Sequence, residues 1–154
     1  MHLTLHPRVL YHRMRCLEQV PTEEKERMQI MIDISELRAL NLVKIKTSND
    51  AAYYPVYAID AMHLKVILGG ARECEGWKDI ALLKPIPLTE GILTQYGFIK
   101  DQFGSYRKDN IEVYFSHGVS FGVVSNAPIH SLKNLHHLQN TYFDLTGKEL
   151  EIQL

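Results

Sequence analysis

The sequence predicts an α+β domain, with a largely antiparallel sheet, a short mid-chain helix and a long C-terminal helix packed on the sheet. Two observations carry this. Strand-patterned segments follow one another in runs, with helical periodicity at the ends of the runs rather than in strict alternation, which argues for hairpin connections. The most regular pattern in the chain is helical: Leu132, Leu135, Leu138, Tyr142 and Leu145 recur at spacings of three or four and share one face. Ser131 is placed to cap that helix, because its hydroxyl can accept from a first-turn N–H, and Gly147 to close it in the left-handed conformation.

In chain order, residues 1–27 read as an N-terminal extension or helical arm, rich in His and Arg and closed by the charged run from Pro21 to Arg27. Residues 28–154 read as a single α+β domain. Ser35 to Asn41 suits one helical turn, and Leu42 to Lys46 alternates as a half-buried strand does. Tyr53 to Asp60 is a strand with Tyr53, Pro55, Tyr57 and Ile59 on one face, and Tyr54, Val56 and Ala58 on the other. Pro55 cannot donate to a ladder, which predicts an edge strand or a bulge. Met62 to Leu68 and Ile80 to Leu83 read as further strands. The connector from Lys84 to Thr89 is stiffened by Pro85 and Pro87. Thr89 then caps a helix from Glu90 to Tyr96, stopped by Gly97. A meander comes next, through Phe98 to Lys100, Ser105 to Lys108, Ile111 to Phe115 and Val119 to Val124, with tight turns at Asp109-Asn110 and His117-Gly118.

The 154 residues carry 17 basic and 18 acidic side chains, so no bulk field attracts nucleic acid or an anionic membrane. Cys16 and Cys74 lack partners at metal spacing and read as thiols of a reducing compartment. No apolar run approaches the roughly 18 residues needed to span a bilayer. The first residues lack the apolar core of a secretory signal, so a cytoplasmic address in a bacterial host is expected, with no membrane partner.

Catalytic and metal motifs are not found. His136 and His137 are adjacent on a helix and leave the axis about 100° apart, which argues against a shared ion. The i, i+4 partner of His136 is Asn140. Cys74 lies between Glu73 and Glu75, whose charges oppose a thiolate. Ser120, inside Gly118 to Gly122, sits in a strand pattern rather than at a strand-to-helix elbow. No metal, cofactor or catalytic residue is therefore expected. The aromatic residues are more informative. Tyr53, Tyr57 and Trp77 offer rings to stack a base, and Arg72, Lys78 and Arg107 offer cations for phosphate. The competing reading is that the tyrosines line the rim of a sheet.

Three segments, Ser35 to Val43, Lys84 to Leu93 with Tyr96-Gly97-Phe98, and Leu135 to Leu150, resemble in this order a widespread family of small proteins of anaerobic gut bacteria, their phages and mobile elements. Where that family carries Gly this chain has Leu40, and a branched side chain pays a penalty at positive φ, which argues against a left-handed turn there. The resemblance implies a mobile-genetic or viral setting and transfers no catalytic residue. The expected function is that of a non-enzymatic, homo-oligomeric binding protein. Its partner would be a nucleotide-like small molecule, such as a host defence signal that it sequesters, or a host protein. A structural or assembly module, or a small nucleotide hydrolase, are the alternatives.

Overall fold

The computed structural model describes residues 31–46, 52–70, 75–116, 119–124, 127–129 and 132–151, the strands in 119–124 and 127–129 chiefly by their backbone. The chain divides into two units, Met1–Met31 and Ile32–Leu154, and every element below belongs to the second. The expectations for residues 1–27, for Ser131 and for the turn at His117-Gly118 lie outside the described residues.

Two antiparallel sheets account for the strands. The first contains β1 (Leu42–Ile45), β2 (Tyr54–Asp60), β3 (Lys65–Leu68), β4 (Trp77–Asp79) and β5 (Leu83–Lys84), in the order β4-β3-β2-β1-β5. The second contains β6 (Ile99–Lys100), β7 (Tyr106–Lys108), β8 (Ile111–Ser116), β9 (Val119–Val124) and β10 (Ala127–Ile129), in the order β10-β9-β8-β7-β6. Helix α1 (Glu90–Gln95) joins the two sheets in sequence, and α2 (Leu135–Thr146) closes the domain. This is the α+β architecture expected.

Each sheet has its own core. Val43, Ile45, Tyr54, Val56, Val66, Leu68, Ile80 and Leu83 pack on the first, joined by Ile32 and Leu37. Ile111, Val113 and Tyr106 from the second sheet pack with Ile92, Leu93 and Tyr96 around α1, and with Leu135, Leu138 and Tyr142 of α2. The C-terminal helix thus lies against the meander and α1, while Leu42 of β1 touches the same cluster.

Local chemistry explains the two helices. Thr89 Oγ1 accepts from the Ile92 amide at 3.3 Å. At the other end of α1, Gly97 takes φ +78°. Its amide donates to the Thr94 carbonyl, and the Phe98 amide to that of Leu93, both at 3.0 Å, which is a Schellman ending. Helix α2 is capped at its C-terminus by Gly147 at φ +68°, as the sequence predicts. Its start lies later than the apolar spacing predicts. Leu132 is buried but precedes the helix, and Asn134 is the N-cap without a side-chain capping bond. A bridge between Pro87 and Asn134 does the holding: the Leu135 amide donates to the Ile86 carbonyl at 2.8 Å, and the Leu88 amide to that of Lys133 at 3.0 Å. Leu145 is 46% exposed. Tyr142, one turn earlier, is buried and reaches the β7–β8 turn, its hydroxyl donating to Asp109 at 2.7 Å.

Four local expectations are corrected. Pro55 lies in β2, the middle strand of its sheet, and not at an edge. It is tolerated because β3 ends beside it, where only the Gly69 amide reaches the Pro55 carbonyl, at 2.8 Å. A bulge does occur, but between Val56 and Ala58, and it exchanges the faces of the residues after it: Ala58 pairs with Ile67, and Ile59 turns inward opposite Val66. Residues 61–64 form a turn rather than strand, and Ile80–Leu82 is a single 3-10 turn whose Asp79 cap accepts from the Ala81 amide at 2.8 Å.

The fourth correction concerns Leu40, which adopts φ +71° despite its branched side chain. The turn is held by its amide donating to the Val56 carbonyl at 2.7 Å and by the Asn41 amide donating to the Arg38 carbonyl at 3.1 Å. A left-handed conformation costs an L-residue roughly 1–2 kcal/mol. Leu40→Gly is therefore expected to be more stable than Leu40→Ala by about 1 kcal/mol, the reverse of the usual order of these residues. Urea melts of the two variants check this.

Candidate functional site

The structure distributes the six residues that the sequence singles out. Tyr53, just before β2, lines a groove of about 330 Å³ together with Lys44 of β1, Ile86 and Pro87 of the connector, and Thr89 and Gln95 flanking or within α1. The Lys44 ammonium lies 5.4 Å from the centre of the Tyr53 ring. The buried Tyr96 hydroxyl has no hydrogen-bond partner, and its pKa is pushed up to about 12, by burial first and then by Tyr53. Tyr57 and Trp77 are exposed elsewhere on the first sheet. The Tyr57 ring covers Gly69, where a Cβ would overlap it. Trp77 pairs with Ile67 and lines a separate hollow of about 260 Å³ with Asp60, His63 and Lys65. Asp60 is held below the usual carboxylate range by hydrogen bonds from His63, whose ring nitrogen is 2.7 Å away.

Lys78 pairs with the buried Val66 and so points to the face opposite Trp77, as successive strand residues must. Arg107 belongs to the second sheet and is engaged by Asp101 at 3.2 Å and Glu112 at 3.1 Å. Arg72 lies outside the described residues. Of the six, only Tyr53 has a described cation over its ring, and that cation is Lys44, which nothing in the local sequence singles out.

Sequence reasoning also missed the polar seam along α2. The segment from Ile34 to Leu42 lies against the helix through side chains that meet about a hundred residues apart. Arg38 forms a two-pronged bond to Glu149, at 2.7 and 3.0 Å, and its guanidinium lies 4.1 Å from the centre of the Phe143 ring. That pairing raises the Arg38 pKa and lowers that of Glu149. Asn41 is fully buried: its side-chain oxygen accepts from the Arg38 amide and its nitrogen donates to Asn140, both at 2.8 Å. Gln139 accepts from the Leu42 amide at 2.9 Å, and Asn140 donates to the Glu36 carbonyl at 2.7 Å.

At the N-terminal end of this seam His136 and His137 converge, with ring centres 4.2 Å apart at 58°. The Nε2 atoms of both approach the same Glu36 oxygen, at 3.6 Å from His136 and 3.2 Å from His137. The two rings thus meet although they leave the helix axis about 100° apart, the geometry that argued against a shared ion. The 100° at the axis is absorbed by side-chain torsions, which are freest in a first turn with no preceding turn to clash with. His136 is 0% exposed, and neither of its ring nitrogens has a hydrogen-bond partner. Burial first, and then the neighbouring His137, push its pKa down to about 4 against the pull of Glu36, so the ring is neutral. An unsatisfied buried polar atom costs about 1–3 kcal/mol. Among the described residues this is the one group of three such side chains whose donor atoms lie close together, all within 4.8 Å.

No helix among the described residues is long and apolar enough to cross a membrane. Comparison with family models, with curated proteins and with solved structures gives no match for this chain.

Proposed function

We propose that this protein is a non-enzymatic binding protein that holds a small, planar, anionic ligand of nucleotide-like chemistry in the groove beside Tyr53. The observation that carries the reading is the pairing of Tyr53 with Lys44 in a groove of about 330 Å³, a size at the lower end of ligand pockets. A ring offers stacking, a cation offers phosphate contact, and Thr89 and Gln95 offer hydrogen bonds to a base edge or sugar. The described lining residues include no carboxylate or imidazole to move a proton, which favours capture over turnover. The family resemblance directs the choice of ligand toward a host defence signal, sequestered in a bacterial cytoplasm by a phage or mobile element. A homo-oligomer is in keeping with β6, an edge strand carrying Ile99 at 76% exposure, and with Phe103 at 82% in the turn that follows it.

Native mass spectrometry of the protein purified from its own host reads both ligand and stoichiometry. In vitro, a panel of cyclic and linear nucleotides is incubated with the protein, which is then heated, and the released material is analysed by chromatography. Unmodified ligand is expected. A converted product favours a hydrolase, and retention of none favours an assembly module. Stacking contributes roughly 1–3 kcal/mol per base, so Tyr53→Ala should weaken binding by about ten- to a hundred-fold. Gly91 of α1 also lines the groove, and Gly91→Leu should block it without unfolding the helix, because a Cβ there meets nothing closer than Thr89 Oγ1 at 3.9 Å. Trp77→Ala should leave binding unchanged; if it abolishes binding instead, the ligand lies on the outer face of the first sheet.

A further inference from the structure

We propose that Glu36, His136 and His137 form a binding site for a divalent first-row transition-metal ion, with three protein ligands and at least one position open to solvent. Geometry is the first argument. Bonds of about 2.0–2.1 Å place neighbouring ligands of a tetrahedral ion roughly 3.3 Å apart. The Glu36 oxygen stands 3.2 Å from one Nε2 and 3.6 Å from the other, so two edges of such a polyhedron are already close to length.

The state of His136 is the second argument. The ring is sealed from solvent, and no hydrogen bond engages Nδ1 or Nε2. A hydrogen bond joins Glu36 and His137 at 3.2 Å, whereas His136 Nε2 reaches the same oxygen only at 3.6 Å and its Nδ1 has no partner. An ion between the three groups engages Nε2 of both rings and one carboxylate oxygen together.

The donor set decides the class of ion. Two imidazoles and one carboxylate suit zinc, iron, cobalt or nickel, whereas calcium and magnesium prefer oxygen ligands alone. Glu36 is exposed, so an ion enters from its side and keeps a solvent position there. The Nδ1 atoms of both rings lack partners, so packing rather than outer hydrogen bonds fixes the ring orientations. Nothing in this site depends on the groove beside Tyr53.

The test uses the full-length protein stripped with a chelator. Zn²⁺ is titrated in competition with a chromophoric chelator, and Co²⁺ is added separately to read coordination from its visible spectrum. The wild type is expected to bind one ion at this site, to melt at a higher temperature with it, and to keep it in excess Mg²⁺. His136 is packed on all sides and its removal would disturb folding, so the variants are Glu36→Gln and His137→Ala. Each should weaken Zn²⁺ binding at least about tenfold, by comparison with the 10–100-fold lost when only an outer-shell partner is removed, and should change the Co²⁺ spectrum. Their metal-free melting temperatures should stay near that of the wild type. The proposal is overturned if the wild type binds no Zn²⁺, if Mg²⁺ displaces it, or if both variants bind as the wild type does. That last result would place the ion on other histidines, such as His2, His6 or His12.

Discussion

Leu138→Ala is expected to lower stability by about 2–5 kcal/mol, a large share of the roughly 5–15 kcal/mol that holds a domain together. Leu138 is fully buried in the cluster formed by α2, α1 and the second sheet, with Leu135 and Tyr142 beside it on the helix. Truncation removes apolar contact from all of these neighbours and leaves a cavity that the packed surroundings cannot fill. The measurement is the urea midpoint, which should fall with little change in slope. Leu145→Ala is the internal control: its half-exposed side chain should shift stability by no more than about 0.5 kcal/mol. Equal effects at both positions would mean that Leu145 is buried by a contact outside this chain.

Asn41→Ala is expected to cost about 2–3 kcal/mol although it removes only a small polar group. The buried amide joins the Arg38 backbone to Asn140, so its loss leaves the Arg38 N–H and one side of Asn140 without these partners. Asn41→Asp should be at least as harmful despite its matching shape, because a carboxylate oxygen would then face the Asn140 oxygen with no proton between them. Asn140 can answer only by turning its own amide, which gives up its bond to the Glu36 carbonyl. Chemical denaturation of both variants tests this. An aspartate that preserves stability would show that the site needs volume rather than a donor.

These two positions differ in how far the sequence reveals them. Leu138 belongs to a helical stripe, and Gly147, Thr89 and Gly97 mark helix ends by chemistry confined to a few neighbouring residues. Such signals act locally and are readable. The role of Asn41 is not, since its partner lies 99 positions away. The same holds for Glu36 and the two histidines: helical geometry alone sets the rings apart, and the carboxylate that draws them together comes from the far end of the domain. Leu40 shows tertiary bonds overriding a local penalty. For the aromatic and cationic residues the side-chain types are plain in the sequence, whereas their placement is not. Trp77 and Lys78 are neighbours in sequence, yet strand alternation sends them to opposite faces, and the cation that does sit over Tyr53 comes from β1.

The seam along α2 also bears on how the protein is made. The amide of Leu42, the side chain of Asn41 and the carbonyl of Glu36 are satisfied by residues 97, 99 and 104 positions later. During synthesis the first strand therefore leaves the ribosome long before the groups that complete it exist, and closing so long a loop is slow as well as late. Until then the Leu42 amide and the Asn41 side chain lack these partners, even where β2 and β5 already flank the strand. A chain that stops just short of Gln139 holds all ten described strands, the last ending at Ile129, yet lacks the groups that finish the first of them. Helix α2 therefore completes the first strand as well as packing its own core.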